Sequence, residues 1–213
     1  MPKHNVLETI ELTGRKELTE LEAKDLLKEA GINVVETKLA TSAEEAVKLS
    51  RQLKFPVALK IASPDILHKT DVGGVKLGLA NATAVTEAYD SIITAAKLSQ
   101  PRAEIYGVSV QKMARPGIEV IIGVSQDVHF GPVMMFGLGG VLVEIIKDVA
   151  FRIIPLEQRD AREMIREIKG YALLEGYRGQ APVSISKLEK MLLQVSTFVD
   201  DNPKISELDL NPV

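Results

Sequence analysis

FPVALKIASPDILHKTDVGGVKLGL, residues 55–79, reads as a strand over Val57 to Ile61 whose apolar run is broken by Lys60 alone. A polar loop follows, ending in Thr70-Asp71-Val72-Gly73-Gly74, and a second strand runs from Val75 to Leu79. A strand that contributes a cation and turns through paired glycines into its neighbour is suited to polyphosphate. The lysine neutralises charge, and glycines let backbone N–H groups approach phosphate oxygens closely. The sequence closes on ELDLNPV, residues 207–213, where period-two alternation sets Glu207, Asp209 and Asn211 on one face. Oxygen donors of this kind suit magnesium. These residues by themselves point to a nucleotide–metal site.

Composition narrows the alternatives. With 213 residues, 46% hydrophobic and 26% charged, the chain has the makeup of a soluble globular protein, as one domain or two lobes. A formal charge of −3 without a basic run argues against a nucleic-acid partner. The absence of cysteine excludes disulfides, thiolate nucleophiles and cysteine-ligated zinc. Met1-Pro2-Lys3-His4-Asn5 leads into charged sequence without the apolar core of a signal peptide, and the apolar run Val133 to Val143 is too short to span a bilayer. The expected compartment is the cytoplasm, with no membrane partner.

Outward from the lysine hairpin, residues 1–16 form an expected extended lead-in. Thr19 with Glu22 predicts a capped helix ending at Gly31, and a strand is predicted over Ile32 to Leu39. Ser42 with Glu45 opens a second helix, closed at Phe55-Pro56, and Ala84 to Ala96 carries a third. Pro101 lies in a polar break. Beyond it, strands are predicted at Ile105–Met113, Ile118–Ser125, Val133–Phe136, Leu142–Ile146, Ala150–Pro155 and Ile205–Leu210, with helices at Arg159–Lys169 and Ser186–Val199. The expected organisation is a lead-in over 1–16, a first α+β lobe over 17–104 and a second over 105–213.

Several common chemistries are missing. There is no G-x-x-x-x-G-K-[ST], no serine elbow and no H-E-x-x-H. Gly137-Leu138-Gly139-Gly140 falls short of a dinucleotide fingerprint because Leu142 stands where the third glycine belongs. His4, His68 and His129 are spaced too widely to suggest a metal site.

The lysine hairpin, VQKMARPGIEVIIG (110–123) and ELDLNPV together resemble an ATP-grasp nucleotide site. More closely, DILHKTDVGGVKLGL, FGPVMMFGLGGVLVEIIKDVAFRIIPL (130–156), the pair EIKGY and GYRG, and ELDLNPV resemble, in order, the β subunits of ADP-forming acetyl-CoA (acyl-CoA) synthetases in the succinyl-CoA synthetase superfamily. That resemblance covers about residues 17 to 213. It implies an α+β ATP-grasp fold, two lobes with the nucleotide site between them. It also implies that Lys60 contacts nucleotide phosphates under a flap containing Gly73 and Gly74. Val110, Gln111, Lys112 and Met113 would line the adenine, Glu119 would reach the ribose or adenine end, and Asn211 with Asp209 beside it would serve Mg2+. The substrates implied are ADP and ATP.

The resemblance further implies that His68 carries phosphate in a relay. An acyl phosphate made on a CoA-binding α subunit would phosphorylate an α-subunit histidine, and the group would pass by way of His68 to ADP. Neutral imidazole is a competent nucleophile near pH 7. The partner expected is that α subunit, in an α2β2 hetero-oligomer. In the family the chain runs past Asn-Pro into a strand with an acidic magnesium ligand, whereas this sequence ends at Val213, so the expected metal site is one ligand short. Two rival readings are a nucleotide-sensing regulatory module of an acyltransferase-type protein, and an ATP-grasp carboxylate–amine ligase. The first often loses catalytic groups, yet Lys60, His68 and Asn211 are all present. The second has no need of the DILHK histidine.

Overall fold

The structure, a computed structural model, describes residues 14–140, 147–179 and 181–213. Two compact units divide the chain, the first ending at Arg115 and the second running from Pro116 to Val213.

The first unit opens with helix α1, Glu20–Glu29. The side chain of Thr19 accepts from the N–H of Glu22 at 3.4 Å, and the Glu22 carboxylate accepts from the N–H of Thr19 at 2.8 Å. This reciprocal box satisfies two otherwise orphaned donors. Arg15, expected in the lead-in, is instead bound to Glu22 through two nitrogens at 3.1 and 2.6 Å. Residues 1–13 lie outside the described residues. Strand β1 (Thr37–Ala40), helix α2 (Ala43–Leu53), strands β2 (Val57–Ala62) and β3 (Val75–Leu79), helix α3 (Ala82–Ser99) and strand β4 (Gly107–Lys112) follow.

The strands form an antiparallel sheet in the order β1-β4-β2-β3. The boundary expected near residue 104 is therefore misplaced. Strand β4 sits between β1 and β2 and belongs to the first sheet, so the chain leaves this unit only after Arg115. Strand β1 is also shorter than its apolar pattern suggests. It pairs with β4 from Thr37, opposite Gln111, to Ala40, opposite Val108, and β4 itself stops at Lys112.

In β2, Val57, Leu59 and Ile61 join a core with Val85 and Ile92 of α3, Ala46 and Leu53 of α2, and Val108 and Val110 of β4. Each such fully buried aliphatic side chain contributes roughly 1.5–3 kcal/mol. Ala58, Lys60 and Ala62 point to the opposite face by strand alternation, and Ala58 and Ala62 are buried as well. That second burial is the mark of a strand covered on both sides. Lys60 is thus on an inner strand, not snorkelling from an edge.

The second unit contains strands β5 (Val120–Asp127), β6 (Gly131–Leu138) and β7 (Val149–Ile153), helices α4 (Gln158–Glu167), α5 (Tyr171–Leu174) and α6 (Ile185–Asp200), and strand β8 (Glu207–Leu210). Its antiparallel order is β7-β6-β5-β8. On β5, Val120, Ile122 and Val124 are buried, as are Met134, Phe136 and Leu138 on β6. Helices α4 and α6 supply Ala161, Met164, Ile165, Leu192 and Val195 to the buried side. The buried hydroxyl of Ser196 accepts from the N–H of Leu156 at 2.8 Å, tying α6 to the turn before α4. The strand expected over Leu142–Ile146 falls outside the described residues.

Candidate functional site

Three lysines of the first unit converge on one carboxylate. Glu20, in the first turn of α1, accepts from Lys24 at 2.8 Å and from Lys60 at 2.9 Å through Oε1, and from Lys69 at 3.1 Å through Oε2. Lys24 also donates to Thr37 Oγ1 at 2.9 Å and to Gln111 Oε1 at 2.8 Å. The cluster joins α1, β1, β2, β4 and the loop after β2. Burial opposes ionisation of Glu20, but Lys60, Lys24 and Lys69 outweigh it and hold the carboxyl down at about 2. Burial also lowers Lys24, opposed by Glu20 and reinforced by the two neighbouring ammonium groups.

The depressed Glu20 has a measurable consequence. Its folded value of about 2 lies below the ordinary 4.5, so its stabilisation is complete above about pH 4.5 and is lost as pH falls toward 2. Urea unfolding between pH 6 and pH 2.5 should show this contribution, on the order of 3 kcal/mol, and Glu20→Gln should remove it. Parallel stability–pH curves for the two proteins would show that the lysines do not hold Glu20 in this way.

The loop between β2 and β3 does not use its glycines as expected. The N–H of Gly73 donates to the Thr70 carbonyl at 3.0 Å, and that of Gly74 to the Lys69 carbonyl at 2.7 Å. Both donors are consumed within the turn, so neither is presented to a phosphate. Gly73 has φ +67°, and a Cβ on Gly74 would stand 2.6 Å from Ile61 Cγ2 and 2.8 Å from the Lys69 oxygen. The glycines are therefore required by backbone conformation and close packing. The N–H of Gly74 ties the turn to the backbone of Lys69. His68 precedes that lysine, is exposed, and makes no side-chain hydrogen bond or ion pair among the described residues.

The four expected adenine-lining residues separate. Val110 is fully buried, and its backbone lies between Lys38 of β1 and Leu59 of β2. The ladder claims those backbone groups, which corrects the expectation that Val110 offers them to a base. Gln111 directs its side chain to Lys24. Lys112 lies beyond the end of β1 and is flanked by Val57 of β2 alone. The N–H of Met113 donates to the Pro56 carbonyl at 3.2 Å. Lys112 and Met113 also line a hollow of about 470 Å³ with Val35, Gln52, Leu53 and Lys54.

In the second unit, Glu119 is exposed just ahead of β5. Its carbonyl accepts from the N–H of Gly139 at 2.7 Å. Val120 and Val213 exchange backbone hydrogen bonds at 3.2 and 2.8 Å, so residues 211–213 lie alongside the same end of β5. Asp209 of β8 faces Gly123 of β5, a neighbour without a side chain. Partial burial, and then the carboxylate of Glu207, push Asp209 up. Two acidic groups on one strand face repel, and a divalent cation would relieve that repulsion, so the donor set fits Mg2+. Asn211 follows directly beyond the strand. Among the described residues, no group of three or more His, Asp or Glu side chains could hold a metal ion.

A sequence profile described as the ATP-grasp domain matches residues 9–213. The β subunit of the ADP-forming acetate–CoA ligase II of Pyrococcus furiosus is 47% identical over 209 residues, which cover 98% of this chain and 89% of that subunit. The chain belongs to this family of ATP-grasp β subunits. A solved structure of acetyl-coenzyme A synthetase 1 of Candidatus Korarchaeum cryptofilum, in complex with coenzyme A and Ca-AMPCP, superposes with a TM-score of 0.94 at 48% identity, covering 98% of this chain and 91% of that one. A second structure of that enzyme holds coenzyme A and Mg-AMPPCP, with a phosphohistidine segment pointing towards its nucleotide site. It superposes with a TM-score of 0.85 at 45% identity, covering 98% and 90% of the two chains. The fold is accordingly the α+β ATP-grasp fold, with helices and two antiparallel sheets. Among the described residues, no helix is long and apolar enough to cross a membrane.

For an ATP-grasp β subunit, the residues that sequence reasoning passed over are Glu20, Lys24 and Lys69. Glu20 and Lys24 stand four apart on a capped helix, a spacing that ordinarily marks a solvated ion pair. Lys69 directly follows the histidine that drew attention to the loop. No excess of lysine marks either segment, since α1 carries two lysines and four acids and residues 57–74 carry two lysines and two aspartates, so only the fold reveals the cluster.

Proposed function

We propose that this chain is the nucleotide-handling subunit of an ADP-forming acyl-CoA synthetase, interconverting acyl-CoA, ADP and phosphate with a carboxylic acid, ATP and CoA. The observation that carries the reading is the near-full-length match to a β subunit at 47% identity. The lysines around Glu20 add chemistry to it. They concentrate positive charge on one patch of the first unit, as a di- or triphosphate requires.

Within this reading, Lys60 binds phosphate oxygens and Gln111 is held in place by Lys24. Lys112 and Met113, at the end of β4, are the candidates for the base edge, with Glu119 at the sugar end. His68 carries the phosphoryl group. In its delivery to ADP the phosphorus–nitrogen bond breaks, the imidazole keeps the electron pair, and a terminal ADP oxygen forms the new bond to phosphorus. Asp209 and Asn211 would hold Mg2+, which when bound supplies charge neutralisation for the transferring phosphate. The partner is a CoA-binding α subunit bearing its own phosphorylatable histidine, in an α2β2 assembly. The compartment in this reading is the cytoplasm.

Titration calorimetry with ADP and magnesium tests the binding half of the proposal. The chain should bind ADP, and Lys60→Ala should weaken it by about 1.5–3 kcal/mol through loss of a charge-assisted contact. Equal affinities for the two proteins would remove Lys60 from the site.

A further inference from the structure

The lysine cluster holds more order than a single phosphate-binding lysine needs. An ammonium group has three donors. Lys24 fills all three, on Glu20, Thr37 and Gln111, and is therefore a strut. Among the described residues, Lys60 and Lys69 each spend one donor, both on Glu20, from opposite oxygens of the carboxylate. Their side chains remain 25% and 23% exposed, so two donors on each stay open to a ligand. Among the described residues, no other carboxylate is ion-paired with any of the three. Three cations share one anion, leaving an excess of two positive charges. A pair made only to hold the fold would be complete with one lysine.

We propose that Glu20 is a positioning residue that presents Lys60 and Lys69 as a matched pair to the phosphates of the nucleotide, and that Lys69 is a second phosphate-binding residue. This rests on the proposed nucleotide site and deepens it. Free lysine side chains lose rotamer entropy when they grip a phosphate, whereas two ammonium groups already anchored on one carboxylate have lost it on folding. Gly73 and Gly74 serve the same end, since the turn they permit fixes the backbone of Lys69. Glu20 itself reaches the phosphates only through the lysines.

The test is calorimetry of the full chain with ADP and magnesium, for the wild type, Glu20→Gln, Glu20→Asp, Lys69→Met and the Glu20→Gln/Lys69→Met double variant, with melting temperatures measured in parallel. Lys69→Met and Glu20→Gln should each weaken binding about tenfold or more. Glu20→Asp should fall between wild type and Glu20→Gln. The double variant should fall well short of the roughly hundredfold loss that independent effects would give, because part of the Glu20 effect passes through Lys69. A purely structural Glu20 would lower the melting temperature and leave the affinity of the folded protein unchanged, which would overturn the proposal. Tighter ADP binding by Glu20→Gln would also overturn it, since Glu20 would then be a competing anion. Should Glu20→Gln not fold, Lys69→Met and Glu20→Asp decide, and wild-type affinity in Lys69→Met refutes the pair. Wild type that binds no ADP would defeat the nucleotide reading and this inference together. Normal wild-type binding with insensitive Glu20 and Lys69 variants would defeat this inference alone.

Discussion

Given acetyl-CoA, ADP and phosphate, the purified chain should produce no ATP, and addition of a CoA-binding partner subunit should raise the rate by roughly 10³-fold or more over background. The reaction needs a thioester site, a group that carries acyl phosphate chemistry and a nucleotide site. Residues 9–213 are taken up by the ATP-grasp domain, and its two sheets supply candidates only for the last of these. The sequence has no cysteine to accept an acyl group from CoA. Under the proposed reading, its lone histidine in the lysine loop receives a phosphoryl group and does not make one from a thioester. A coupled ATP assay on each component and on the mixture measures the effect, and light scattering follows complex formation. Robust synthesis by this chain alone would reveal a thioester site within the two units and end the subunit reading.

The second large effect concerns His68. In the assembled enzyme, His68→Ala should lower turnover by roughly 10³-fold or more, as expected when a covalent carrier is removed. It should leave ADP affinity within about twofold of wild type, because the imidazole makes no bond that shapes the lysine cluster. Radiolabelled ATP should place an acid-labile phosphate on the wild-type subunit in the complex and none on His68→Ala. The contrast with Lys60→Ala is informative, since that change acts on binding first. Unchanged labelling and turnover in His68→Ala would leave His68 as part of the loop and nothing more.

Much of the architecture was legible because the local signals were strong. Thr19 with Glu22 and Ser42 with Glu45 marked helix starts that the structure places within a residue of expectation. The apolar run of β2 with its one lysine identified a strand, and the structure adds that it is covered on both faces. What stayed hidden was long-range. Strand β4 follows a proline-containing break, so sequence order suggested a new lobe, yet it inserts between β1 and β2. That pairing depends on residues 45 or more positions away, which local periodicity does not encode. The fate of Val110 follows from the same insertion. A glycine pair likewise says that backbone must turn or pass closely, but not whether its N–H groups face a ligand or, as with Gly73 and Gly74, their own loop. Glu20 was hidden because its meaning comes from three lysines, two of them distant in sequence.

The spent N–H groups of Gly73 and Gly74 carry a consequence for how such a protein responds to its surroundings. Backbone dipoles at a phosphate site are fixed in number and unaffected by dissolved ions. Where they are withdrawn, compensation of the nucleotide's charge falls, under the proposed reading, to the ammonium groups of Lys60 and Lys69, each about one quarter exposed. Charges in that position feel an ionic atmosphere whose screening length is about 8 Å in physiological salt. Under the proposed reading, occupancy by ADP is therefore coupled to the ionic strength of the cell, and a lineage living in concentrated brine would need a different compromise at this loop from one living in dilute water.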